Sequence, residues 1–108
     1  MKYVMLIRID ETEPGPEVLM PAYDQFTDDL HKQGGLVRAD RLSGPSHAST
    51  VRVQQGKTIV SDGPYAETKE WLCGLYVVDC KNLNEALAIA AKITSAPYGV
   101  IEVLPVIE

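Results

Sequence analysis

Long apolar runs are missing from this 108-residue chain. None approaches the ~20 residues a helix needs to cross a bilayer. The apolar stretch Tyr3 to Ile7 is too short for the core of a secretory signal, and no small-residue cleavage site follows it. A cytoplasmic protein is expected. Basic clusters are missing as well: 10 Lys and Arg stand against 15 Asp and Glu, for a net charge of −5. That balance argues against nucleic acid or an anionic membrane as a partner. The two histidines, His31 and His47, lie far apart and without clustered carboxylates or thiols, so no metal site is expected. No Gly-rich phosphate loop and no nucleophile elbow occurs, and no cofactor is expected. The two cysteines, Cys73 and Cys80, fall seven residues apart on one expected strand. That places them roughly 23 Å apart and on opposite faces, beyond the reach of a disulfide. They read as buried thiols acting as small hydrophobes.

What is present fits one domain spanning residues 1–108. A chain this short buries a modest share of its unfolded surface. A second copy is the simplest way to cover more, and a homodimer is the default symmetric solution.

The apolar pattern orders the elements. Lys2 to Ile9 is a strand with Tyr3, Met5, Ile7 and Ile9 on one face and Val4 and Leu6 on the other, as in an inner strand. Pro14, Gly15 and Pro16 mark a loop. A helix follows from Glu17 or Pro21 to Gln33, its main body starting at Pro21 because proline suits a first turn. Tyr23, Phe26, Thr27 and Leu30 form its inward stripe, Asp24, Asp28, Asp29 and His31 face outward, and Gly34-Gly35 ends it. Leu36 to Leu42 is a second strand, and Thr50–Gln54 with Lys57–Ser61 forms a hairpin whose tight turn needs Gly56. Trp71 to Asp79 is nearly continuous apolar strand. Asn82 and Glu85 form a capping-box pattern before a helix with a stripe of Leu83, Ala86, Leu87, Ala90 and Ile93, which Pro97 ends. Tyr98 to Val106 is the last strand, leaving the sheet near Pro105. The order β-α-β, hairpin, β-α-β is a split βαβ with an inserted hairpin. It predicts an α+β fold with an antiparallel sheet, two helices on one face and an apolar, uncovered opposite face.

The chemistry concentrates in Asp62-Gly63-Pro64-Tyr65-Ala66-Glu67-Thr68-Lys69-Glu70. Two turn-formers and four charged side chains directly before a hydrophobic strand exceed what a turn requires. Asp62 reads either as a turn cap accepting backbone N–H groups or as a general base at a pocket mouth, its pKa raised by burial. Gly63 permits a positive φ and Pro64 fixes the bend. Tyr65 reads as an aromatic plug or a ligand contact. Glu67, Lys69 and Glu70 form either a loop-holding charge network or, through Lys69, an anchor for an anionic substrate group. Arg52, with Arg38 and Arg41, offers further positive charge. Tyr23 belongs to the inward helical stripe, and its hydroxyl facing Asp62 would supply an acid and a base without histidine.

This motif, with Leu72, Gly74, Tyr76 and Asp79 after it, resembles the DGPF branch of the YCII-related proteins, whose signature reads DGPFAETKE and then L-x-G-F-Y-V-I-D. Tyr65 and Leu75 replace two Phe of that pattern. Met1 to Ile7, Thr50 to Val53 and Tyr98 to Val103 also resemble family positions. The resemblance covers the whole chain and implies a ferredoxin-like dimeric α+β barrel. The wider superfamily includes cofactor-free isomerases, lactonase-like and oxygenase-like enzymes that hold ligands between sheet and helices. YCII-type proteins are described with a His–Asp pair. Counting back from Gly34-Gly35, Tyr23 stands where that histidine is expected, so this chain departs from the pattern there. DGPF proteins are often encoded beside extracytoplasmic-function sigma factors, which implies a regulatory context. Two readings follow. The first is a dimer binding a small molecule as a cofactor-independent lyase, isomerase or hydrolase. The second is a non-catalytic ligand- or protein-binding module serving regulation.

Overall fold

The computed structural model describes residues 1–10, 16–66, 70–94 and 96–108, with 16–18 described by backbone alone. Six strands and two helices run β1 (Lys2–Asp10), α1 (Pro16–Lys32), β2 (Leu36–Arg41), β3 (Ser49–Gln54), β4 (Lys57–Asp62), β5 (Glu70–Asp79), α2 (Leu83–Ala91) and β6 (Gly99–Pro105). A four-stranded antiparallel sheet has the order β2-β5-β1-β6, and β3 and β4 form a separate two-stranded sheet. The fold is α+β and ferredoxin-like, with the hairpin inserted between β2 and β5.

β1 sits at the centre because it can be buried from both sides. Tyr3, Met5, Ile7 and Ile9 are buried towards the helices, while Val4 and Leu6 are half-buried on the other face. Register carries that division to the neighbours. Met5 stands opposite Tyr76 and Val103, and Leu6 opposite Leu75 and Glu102. Leu30 from α1 and Ala86, Ala90 and Ile93 from the α2 region complete the core. Leu83 and Leu87 stay exposed, because the buried line of α2 runs through its small residues and the two leucines lie at its margin.

Three local expectations change. α1 begins at Pro16 and carries Pro21 inside it. Pro21 lies just past the first turn, so its missing N–H removes a single helical bond near the end. The bend at Asp62 is held by Gly63 rather than by the Asp62 carboxylate: the Gly63 N–H donates to the Ala48 carbonyl at 2.7 Å, and the Thr50 hydroxyl donates to the Gly63 carbonyl at 2.8 Å. Gly63 takes φ +94°, which a side chain would disfavour. The cysteines do not occupy opposite sides. The register of β5 against β1 slips by one residue at Cys73, with Ile7 opposite Gly74 and Arg8 opposite Leu72. This bulge inverts the alternation, so Cys73 and Cys80 both pack against the helix-side core, and both are free thiols.

The expected signals at the ends of the elements are in place. Gly34 ends α1 at φ +82°. The Asn82 side-chain oxygen accepts from the Glu85 N–H at 3.0 Å, and β6 stops at Pro105. Gln55 and Gly56 both take positive φ, +51° and +77°, which is the type I′ turn that matches strand twist. Among the described residues no helix is long and apolar enough to cross a membrane.

Candidate functional site

α1 does not lie flat on the β2–β5 side of the sheet. Between them opens a cavity of about 530 Å³, within the range of small-molecule pockets. Its floor is the helix side of the sheet, from Ile7 and Ile9 on β1 to Trp71, Cys73 and Tyr76 on β5. Its roof is α1, through Leu19, Met20, Tyr23 and Thr27, with Asp24 exposed at the rim. Arg41, Leu42, Ser43 and Gly44, at the end of β2 and beyond it, close one side.

The polar groups in this wall are few and placed by the backbone. Tyr76 sits on the inward face of β5 opposite Met5. Its hydroxyl lies 2.7 Å from the Thr27 hydroxyl on α1, and Phe26 meets its ring edge-on at a centroid distance of 5.6 Å. Burial pushes the Tyr76 phenol above its usual pKa. The Thr27 hydrogen bond partly opposes that rise, and the Asp24 charge adds to it. Tyr76 therefore stays protonated at neutral pH and is available to donate. The Cys73 thiol is also pushed up by burial, with its backbone hydrogen bond and the Arg41 guanidinium acting the other way. It is a neutral thiol rather than a nucleophilic thiolate. The Trp71 indole Nε1 is shielded from solvent and has no hydrogen-bond partner. This is a mainly aromatic and aliphatic wall with hydroxyl groups, lined also by Asp24, Asp40 and Arg41, suited to hold a small, largely apolar molecule bearing acceptors.

The residues singled out from the sequence divide. Tyr23 is half-buried and lines the cavity. Asp62, at the end of β4, is exposed, and so is Arg52 on β3. Tyr65 is 80% exposed. None of these three is in the cavity wall within one chain, so Tyr23 and Asp62 do not share that space. Glu67 and Lys69 lie outside the described residues. Glu70 begins β5 opposite Asp10. Tyr76, Thr27 and Trp71 also line the cavity, without a sequence motif that marks them as site residues. Alternation along β5 could have found Tyr76, since it falls across from the Tyr23–Thr27 stripe. Cys73 could not be found that way, because the bulge breaks the period.

The model for the YCII-related domain matches residues 1–108. An uncharacterised protein of Rhizobium meliloti (strain 1021) is 48% identical over 63 residues, covering 58% of this chain and 51% of that protein. The chain thus spans about half the length of the curated relative it matches. With the domain match extending over every residue, and with the split βαβ sheet carrying the Asp62-Gly63-Pro64-Tyr65 bend ahead of β5, the chain belongs to the YCII-related family.

Proposed function

We propose that this protein is a cytoplasmic homodimer that binds a small, largely apolar molecule between α1 and the sheet. The observation that carries the reading is the 530 Å³ cavity with the Thr27–Tyr76 hydroxyl pair in its wall. Packed cores leave few voids larger than a water molecule, so a space of this size beside buried hydroxyls favours a guest. The unpaired Trp71 N–H supports an acceptor on that guest, since a buried donor left unmade costs about 1–3 kcal/mol. The dimer is supported by the open face of the sheet, where Val4, Leu6, Leu75 and Val77 are half-buried and no helix or further sheet of the described residues lies above them. Across the middle of that face Arg8–Glu102, at 2.6 Å, and Arg38–Asp40 pair within the chain, and Lys2 and Asp10 stand at its two ends. Such a face closed by its twin gives a two-sheet barrel.

In its catalytic form the reading is a cofactor-independent lyase, isomerase or hydrolase with Tyr23 as a proton donor. The form favoured here is the second one, a non-catalytic ligand-binding module in regulation. Its support is specific: of the acids lining the cavity, Asp24 stands on the exposed rim and Asp40 is paired with Arg38, while Asp62 stands on the hairpin, outside the wall. The family's association with sigma-factor genes fits a regulatory role.

Thermal-shift screening against a metabolite panel tests the proposal, because a bound ligand raises stability by mass action. A hit whose shift is lost in Tyr76→Phe and in Tyr23→Phe is the expected result. A hit that survives both substitutions and disappears in Asp62→Asn would move the site to the hairpin bend and overturn the assignment to this cavity.

A further inference from the structure

Among the described residues the β3–β4 hairpin is an arm that pairs only with itself. Its two strands pair with each other and with no strand of the larger sheet. Cross-strand register puts Val51 opposite Val60 and Val53 opposite Thr58 on one face, with Arg52, Ile59 and Lys57 on the other. The three valines are 60, 68 and 63% exposed for Val51, Val53 and Val60. A two-stranded ribbon is at best marginally stable alone in water, and a valine stripe gains nothing by facing solvent.

We propose that this arm packs its valine face on a second copy of the chain, a contact that rests on the dimer reading above and extends it beyond the open sheet face. Two observations select that occupant. The accessible surface of the chain is 7404 Å², whereas a compact monomer of 11.8 kDa has about 5,900 Å². The excess, roughly 1,500 Å², exceeds the ~800 Å² each partner buries in a standard interface. The radius of gyration is 15.6 Å, against about 13 Å for a compact chain of this length.

Sedimentation and amide hydrogen exchange on the full chain test this together. The wild type is expected to dimerise in the micromolar range, with the β3–β4 amides protected in the dimer and exposed on dilution. Val51→Glu with Val53→Glu should raise the dimer dissociation constant at least tenfold and remove arm protection, while β1 protection persists and reports an intact core. Arg52→Glu with Lys57→Glu alters only the opposite face and should leave the dimer constant unchanged; a loss as large as that of the valine variant would overturn the assignment to the valine face. A wild type that stays monomeric at 100 µM overturns the dimer reading and the arm contact together. A wild-type dimer whose constant is unchanged in Val51→Glu with Val53→Glu overturns the arm contact alone.

Discussion

The two sheets of this protein are made from similar residues and end in opposite environments. β1 alternates Tyr3, Met5, Ile7 and Ile9 with a second set, and its inward side chains are sealed, Met5 completely. β3 alternates Val51 and Val53 with Arg52, and both valines stand in solvent. Alternation sets which side chains share a face. It says nothing about whether anything covers that face. For β1 the cover comes from α1 and α2, which the chain places over the sheet by its two crossovers. For the arm no crossover returns, so cover has to come from elsewhere.

The sharpest way to break this contrast is to empty the covered side. Met5→Ala should lower unfolding free energy by about 2–5 kcal/mol, read from urea denaturation. Val53→Ala at a concentration where the protein is monomeric should stay within about 0.5 kcal/mol of wild type. Equal losses at the two sites would mean that the arm is buried within its own chain.

The next effect is smaller and separates the cavity wall from the sealed core. Tyr76→Phe removes the hydroxyl bonded to Thr27 and should cost about 1 kcal/mol. It also alters the pH profile. Burial raises the folded-state pKa of Tyr76 above that of an ordinary phenol, so its contribution is fully present below the ordinary phenol pKa and is lost as pH climbs through the folded pKa. Wild type should therefore lose stability more steeply than Tyr76→Phe in that alkaline window. Parallel profiles would show that the phenol ionises as freely folded as unfolded.

The smallest expected effect is at a helix end. Asn82→Ala removes the oxygen that receives the Glu85 N–H and should cost about 1 kcal/mol or less, with no change in ligand response. A lost ligand response would tie α2 to the cavity, which α1 and the sheet line among the described residues.

Much of the architecture was readable beforehand because its signals are local. Gly34 and Gly56 take the positive φ their positions required, Asn82 caps α2, and the face pattern of β1 follows from period two. The candidate site was less readable. Tyr23 lies in the cavity wall as its helical stripe implied, yet the charge-rich bend that drew attention to Asp62 and Tyr65 stands outside that wall. Sequence proximity to Trp71 brought them near the site in the chain; the direction of β4 carried them away from it. Cys73 shows the same limit, since one bulge residue reversed the face that counting assigned.

The sequence by itself determined the class of fold and the inner strand through periodicity, the stop of α1 and the cap of α2 through Gly34 and Asn82, and the family through the resemblance carried by the Asp62–Glu70 motif, because each depends on residues close in sequence or on a single repeated spacing. Only the tertiary structure decided that α1 stands off the β2–β5 side and leaves a cavity, that Tyr76 meets Thr27 there, and that the arm stands apart from the larger sheet. Those outcomes come from the balance of packing among distant segments, and no local pattern records that balance.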